Sequence, residues 1–326
     1  MDGPATASSC TVVIPSYQRR DHLAAILGSL ADALQEPTGA EVDVLVLLDG
    51  SDDGSDRLVE QLSPGFPVPL RYVLQANRGR AAARNAGVAA ADGELVWLLD
   101  DDIVVDRGAL LCHLAHPRSD ADVLVGPYEV ASEDPDVLRA FWWYEVRHTR
   151  LAEARRVTDP RDISFANASA PRELLQAHRF DESFSGYGLE DVELAVRMLD
   201  AGLEVVFDAD AAVSHRLAPS RSEMLQKMRE EGVNRVRFVA MHPSHHDLAF
   251  PPDTGRLERA LRQVSRLPSS SGLWLTARAL DAGAGLRRLG ARRQLLLTWA
   301  ELIANYSGVA EARRTGLGQE AGRSSR

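Results

Sequence analysis

The sequence predicts an α/β protein: a mostly parallel central sheet flanked by helices, followed by a helical carboxy-terminal extension. Three observations predict it. Short apolar, β-branched runs recur between residues 11 and 130 and alternate with segments of helical character. Strands that alternate with helices imply a largely parallel sheet covered on both faces. Beyond 219 the pattern is helical and richer in arginine.

The elements follow in order. TVVIP (11–15) reads as a buried strand, and Asp21 then caps a helix carrying Leu23, Ile26, Leu27, Leu30 and Leu34. VDVLVLL (42–48) is the second strand and stops at the turn-rich DGSDDGS. A helix over 57–62 leads to a third strand, LRYVLQ (70–75). GRAAARNAGVAAA (79–91) is helical, ELVWLLD (94–100) is the fourth strand and DVLVGPYEV (122–130) the fifth. Between 131 and 162 the pattern weakens to an aromatic-rich helix, FWWYEVRHTRLAEARR, that runs into a charged loop. Order returns at ISFANASAPRELLQ (163–176). A glycine-rich loop then reaches Glu190-Asp191 at the start of a helix with Val192, Leu194, Ala195, Met198 and Leu199 inward. LEVVF is a strand, and a closing segment ends at His215. The expected organisation is a disordered 1–10, a main domain over 11–218 and a helical extension over 219–326.

Bulk properties exclude several classes. With 326 residues, 45% hydrophobic and 26% charged, the chain is neither disordered nor fibrous. A net charge of -10 argues against a nucleic-acid partner. Cys10 and Cys112 lie far apart and have no metal-ligand spacing. With no secretory signal and no membrane-length apolar run, they predict a cytoplasmic setting.

In an open parallel sheet, ligands bind beyond the carboxyl ends of the strands. Ser16-Tyr17, Asp49 to Ser55, Asn77-Arg78 and Asp100 to Asp102 all fall at strand ends, on one rim. Three adjacent carboxylates repel one another and call for positive charge. Carboxylate clusters prefer Mg²⁺ or Mn²⁺, and the one-residue spacing lets Asp100 and Asp102 lean to the same side of a loop and share a cation. Asp101 then faces elsewhere, toward a sugar or ribose hydroxyl. A metal on two carboxylates suggests a diphosphate substrate.

The chain resembles the nucleotide-sugar-dependent glycosyltransferases of the GT-A fold, specifically glycosyltransferase family 2. The blocks that carry this are VVIPSYQR, LLDGSDDGS, NRGRAAARNAG, LLDDD, NASAPRE, GYGLEDVELAVRMLDAG and the closing VSH, in that order, from Thr11 to His215. The GYGLED stretch also looks like the carboxy-terminal half of galactosyltransferase-type enzymes. The resemblance implies a hexosyltransferase-like enzyme that takes a nucleoside diphosphate sugar and a hydroxyl acceptor: saccharide, lipid, peptide or small molecule. It implies that Pro15 to Tyr17 line the nucleotide pocket and that Asp49 accepts a hydrogen bond from the base. The family often has two acidic residues where this chain has Leu48-Asp49, so the base stays open. Gly79 and Arg84 flank the nucleotide, and Arg84 either offsets diphosphate charge or braces the aspartate loop. Asp100 and Asp102 hold Mn²⁺ or Mg²⁺, with His215 completing the shell. Asp191 is the implied general base of an inverting displacement, and Glu190 binds acceptor. Helix capping is the plainer reading of that acidic pair.

Three alternatives stand beside this reading. A sugar-nucleotide pyrophosphorylase needs an early glycine-rich loop with a basic residue, which TVVIPSYQRR lacks. A non-catalytic scaffold of the same fold has no need of an intact acidic set. A retaining enzyme differs only in product stereochemistry. NRGRAAARNAG has no P-loop lysine, and Asn167-Ala168-Ser169 is a glycosylation pattern in a chain with no sign of secretion. Trp142, Trp143 and Tyr144 suit either core packing or an acceptor sugar, and His242, His245 and His246 suit an exposed loop better than a second metal site. LRRLGARRQLLLTWAELIANY (286–306) fits a packed helix, at a homodimer interface among other places, better than a peripheral helix on an anionic membrane face.

Overall fold

The computed structural model describes residues 7–116, 121–131, 142–216, 220–251, 258, 261–263, 265, 271–284 and 291–317. β1 (Ser9–Ser16) lies at the centre of the parallel half of the main sheet, between β2 (Glu41–Asp49) and β4 (Leu95–Leu99), with β3 (Leu70–Gln75) outside β2. Its sequence explains the place. Val12 and Ile14 face one apolar cluster, with Leu23, Ile26 and Trp97, while Val13 faces another, with Leu45, Val96 and Leu98. Each such fully buried side chain contributes about 1.5–3 kcal/mol. Pro15 lies near the end of β1, beyond the last β1–β4 pair at Val13 and Leu98, though still paired with Leu47 of β2.

Four more strands, β6 (Val123–Val125), β8 (Arg156–Val157), β9 (Asn167–Pro171) and β10 (Val205–Phe207), complete an eight-stranded sheet in the order β3-β2-β1-β4-β9-β6-β10-β8. β9 runs antiparallel to both β4 and β6. A second sheet has the order β5-β11-β7, from β5 (Ile103–Val104), β7 (Tyr128–Ala131) and β11 (Val213–Arg216). The stretch 122–130 is therefore two strands in two sheets, not the single strand its apolar run suggests. The chain changes sheets at Gly126-Pro127. A Cβ on Gly126 would sit 2.2 Å from the Ala211 carbonyl oxygen, so only glycine fits.

Helices α1 (Arg20–Ala33), α2 (Ser55–Leu62), α3 (Arg80–Ala90), α4 (Arg107–Leu114), α5 (Trp142–Ala154), α6 (Arg172–Ala177) and α7 (Glu190–Asp200) connect the strands. The alanine-rich face of α3 allows close approach to the sheet: a Cβ on Gly87 would meet Val13 at 2.4 Å. Asp21 does not cap α1. The helix begins one residue earlier, and the exposed Arg20 N–H donates to Asp53 Oδ2 at 2.8 Å, from the loop before α2.

Two compact units result: Met1–Glu182 with Glu190–Ala218, and Ser183–Leu189 with Pro219–Arg326. The second holds α8 (Arg221–Met241), α9 (Ser271–Ala284) and α10 (Ala291–Arg314). Ser220 and Glu223 close a capping box on α8. α8 and α10 meet backbone to backbone at Gly232 and Gly308. Among the described residues no helix is long and apolar enough to cross a membrane.

Candidate active site

Because β1 to β4 run parallel, their carboxyl ends deliver four loops to one rim. The loops bond to one another. Gln18 N–H donates to Ser51 Oγ at 3.0 Å and Gln18 Nε2 to Asp52 at 2.6 Å. Asp49 is buried at the end of β2, and three donors occupy its carboxylate: Gln75 Nε2 at 2.7 Å and the N–H groups of Arg78 and Gly79, each at 2.9 Å. Asp49 thus clamps the loop that opens α3. Gly79 permits this at φ 86°, a left-handed conformation that favours glycine. Tyr17 stands on the rim, 49% exposed, directly after the buried Ser16.

The three aspartates after β4 are compensated by the protein's own cations. Asp100 accepts from Arg84 Nη2 at 2.9 Å. Asp101 points inward, accepting from Ser16 Oγ at 2.7 Å and Arg19 Nη1 at 3.1 Å. Burial pushes its carboxyl up to about 6, with Arg19 only partly opposing. Asp102 accepts from the same Arg19 Nη1 at 2.8 Å and lies 2.9 Å from His215 Nε2. Burial alone would raise Asp102, but the hydrogen bond and charge of His215, with Arg19, outweigh it and hold the group well below the usual carboxylate range.

Arg84 joins this cluster to the second acidic motif. Its side chain is 1% exposed, on the sheet-facing side of α3. Besides Asp100 it donates to Asp191 at 2.7 Å and Glu190 at 3.5 Å, both in the first turn of α7. Arg80 adds a bond to Glu190 at 3.2 Å. The other Asp191 oxygen accepts from the Phe165 N–H at 3.2 Å. Burial raises the Asp191 carboxyl to about 6; Arg84 opposes this, and Glu190 and Asp100 add to it. The Asp191 side chain still keeps 18% of its exposure, so it can be reached from outside.

The donor chemistry fits a divalent cation through two of the three ligands expected. Asp102 is ionised, and its Oδ1 lies beside the His215 imidazole. Their 2.9 Å separation matches the ~3 Å between neighbouring ligands of an octahedral ion with bonds of about 2.1 Å. His215 Nδ1 is buried without a partner among the described residues, while Nε2 faces the ionised Asp102, which can only accept, so the proton sits on Nε2 and a cation bound there would have to displace it. Tyr128 holds the ring edge-on, with centroids 5.3 Å apart. Asp100 is turned away to Arg84. Among the described residues no three His, Cys, Asp or Glu side chains are gathered as metal ligands. Mg²⁺ and its like commonly keep several waters and bind through one or two carboxylates plus phosphate oxygens.

Of the predicted site residues, Asp100, Asp101, Asp102 and His215 meet at the aspartate loop, and Arg84, Glu190 and Asp191 meet beside it. Asp49 and Gly79 lie on the neighbouring loop. Sequence reasoning missed Arg19, which touches two of the three aspartates. The signal available was a dibasic pair, Arg19-Arg20, on the same rim as the acids. Asn167 is fully buried, donates to the Pro127 and Ala211 carbonyls and accepts from Trp97 Nε1, so it is no glycosylation acceptor in the folded chain. The side chains of Trp142, Trp143 and Tyr144 lie outside the described residues. His242, His245 and His246 end α8 and begin the next turn, where the His242 ring lies tilted against Phe238.

Comparison with known proteins places this geometry. Residues 11–178, just over half the chain, match the family model of glycosyl transferase family 2. The chain belongs to that family. It is a glycosyltransferase, in keeping with its curated relatives. An uncharacterised glycosyltransferase of Bacillus subtilis, YfnE, is 23% identical over 310 residues, 78% of each chain. Validoxylamine A glucosyltransferase of Streptomyces hygroscopicus is 28% identical over 267 residues, 72% of this chain and 57% of that one. Two solved structures share the fold at 19% identity. TarS of S. aureus, residues 1–349 in complex with UDP, has a TM-score of 0.54 and covers 94% of this chain and 92% of its own. The mannosyltransferase PcManGT of Pyrobaculum calidifontis, in complex with GDP-Man and Mn²⁺, has a TM-score of 0.58 over 96% and 88%. The α/β architecture is thus the GT-A fold, with a helical extension.

Proposed function

We propose that this family 2 enzyme moves a sugar from a nucleoside diphosphate sugar to a hydroxyl acceptor, with inversion at the anomeric carbon and Asp191 as general base. One observation carries the reading: buried Arg84 ties Asp100, on the aspartate loop, to Asp191, a carboxylate raised to about 6 yet still reachable. A base works best with a pKa near the working pH. Asp191 takes the proton from the acceptor oxygen as that oxygen attacks the anomeric carbon. The bond from that carbon to the diphosphate breaks, and the nucleoside diphosphate leaves with its electron pair. Glu190, held by Arg80 and Arg84, sits beside the base as an acceptor contact.

At the other end Asp102 and His215 would hold Mn²⁺ or Mg²⁺, which would supply Lewis-acid stabilisation of charge on the leaving diphosphate. Arg19 keeps Asp101 and Asp102 oriented, and Ser16 fixes Asp101 from below. Asp101 keeps lone pairs beside these bonds but is buried, so a ribose or sugar hydroxyl reaches it only if the loop shifts. Tyr17 offers an exposed ring to the base, and Asp49 shapes the base pocket through the loop it clamps. The UDP and GDP-Man complexes of the two structural neighbours support a nucleoside diphosphate donor.

A screen of UDP-, GDP- and dTDP-sugars for nucleoside diphosphate release, with Mn²⁺ or Mg²⁺, tests the reading. Slow hydrolysis of one donor by the wild type, lost in Asp191→Asn with donor binding retained, is expected. No turnover together with no nucleotide binding would return the chain to the scaffold alternative.

A further inference from the structure

We propose that Arg19 binds the diphosphate of the donor, through the edge of its guanidinium that Asp101 and Asp102 leave free. The proposal rests on the donor reading above and adds a residue to it. Arg19 stands where the loop after β1 enters α1, within the first compact unit. Its Nη1 lies 3.1 Å from Asp101 Oδ1 and 2.8 Å from Asp102 Oδ2, so both hydrogens of that nitrogen are in use. Nε and Nη2 have no partner among the described residues and are not shut away from solvent. The side chain is 38% exposed. Nε–H and one Nη2–H run parallel, which is the fork that grips a phosphate by two bonds.

The place of that fork is set by Asp102. One oxygen of this carboxylate takes Arg19 Nη1, and the other lies 2.9 Å from His215 Nε2. Arg19 and the candidate cation position thus meet on one carboxylate, so a diphosphate held there has the free edge of Arg19 beside it. The local structure argues against a counter-charge alone. Helix starts favour Ser, Thr, Asp or Asn, and a cation there opposes the helix dipole. Arg19 occupies that position in α1 and makes no side-chain cap bond. Gln18, just before it, takes φ 54°, in the left-handed region that favours glycine. Its bonds to Ser51 and Asp52 keep it there. A disfavoured residue held on disfavoured backbone is the pattern of a binding site. The neighbouring Arg20 turns elsewhere: its N–H goes to Asp53 at 2.8 Å and its Nη1 to Asp21 at 3.5 Å.

The test is titration calorimetry of the full chain at saturating Mn²⁺ with paired probes: UDP and UMP, GDP and GMP, dTDP and dTMP. Arg19→Lys keeps the counter-charge, and with it the fold, but puts one compact ammonium on the aspartates and leaves no forked edge. Its preference for diphosphate over monophosphate should fall at least about tenfold from wild type, as loss of a charge-assisted hydrogen bond entails, at an unchanged melting temperature. Arg19→Gln, which also removes the charge, should lose at least as much. Arg20→Gln should keep the wild-type preference. A wild-type preference retained by Arg19→Lys overturns the proposal and leaves Arg19 as a counter-charge only. An equal loss in Arg20→Gln overturns it too, because the general field of the rim would then account for the effect. A wild-type chain that prefers no diphosphate to its monophosphate sinks the donor reading and this proposal together.

Discussion

Arg84→Met removes the guanidinium that joins the two acidic motifs and keeps most of the aliphatic stem. It deletes bonds of 2.7 Å to Asp191 and 2.9 Å to Asp100, and the longer one to Glu190. Three carboxylates then face one another with little solvent. Hydrogen bonds to charged groups contribute about 1.5–3 kcal/mol each, so the two short ones give about 3–6. Removing one partner of a buried ion pair costs about 3–5 kcal/mol, which agrees. In a unit of roughly 200 residues each kcal/mol lowers Tm by about 2–4 °C, so a loss of about 12 °C near neutral pH is expected by calorimetry. The pH dependence has a definite sign. Arg84 holds Asp100 below the usual carboxylate range and opposes the rise at Asp191, so without it both folded-state pKa values go up while those of the unfolded chain do not. The variant's folded state then binds the extra protons, so its deficit shrinks as pH falls from 7 toward 5. A Tm within about 2 °C of wild type, or a deficit that does not shrink on acidification, would refute the idea that Arg84 holds the site together.

Other perturbations separate the remaining parts of the account. His215→Ala leaves Asp102 with Arg19 alone, and Mn²⁺-dependent affinity for a nucleoside diphosphate should fall at least about 10–100-fold by titration calorimetry; equal affinity counts against His215 as a ligand. With Asp191 raised to about 6, donor hydrolysis should climb tenfold per pH unit below about 6 and level off above. A flat profile across that range contradicts the assignment of the base. Gly308→Ala drives a Cβ to 1.8 Å from the Arg229 carbonyl oxygen and should cost at least about 1–3 kcal/mol in a urea titration. Gly28→Ala has nothing within 4 Å in the interior of α1 and should instead stabilise by about 0.5–1 kcal/mol.

Strands β1, β2 and β4 were legible because both their faces are buried, so a nearly continuous apolar run identifies them; β3, at the sheet edge, is only partly buried, with Leu74 58% exposed. β9 was not, because Asn167, Ala168, Ser169 and Ala170 show no apolar alternation. The strand is held inside by hydrogen bonds instead: His113 bridges Ser169 and Asn167 at 2.9 Å each, and burial pushes this histidine down to about 3. No local pattern reveals a partner more than fifty residues away. The same limit hid the sheet change at Gly126-Pro127, where apolar character runs on unbroken. At the site the acids were legible as dense short motifs, and the resemblance named Arg84 as a brace of the aspartate loop, but Arg19 went unseen. Arg19 and Arg84 reach the aspartates only after folding brings β1 beside β4 and lays α3 against the sheet. The triple aspartate motif thus leans on two arginines as well as on any cation it holds.

The account turns on whether Asp102 and His215 bind a metal–diphosphate. The most direct measurement is calorimetric titration of UDP and GDP into the wild-type chain with Mn²⁺ and with EDTA, alongside Asp102→Asn. The account predicts binding of one nucleotide with Mn²⁺, weakened at least about tenfold by EDTA and by the substitution. Binding of equal strength in all three conditions would contradict it.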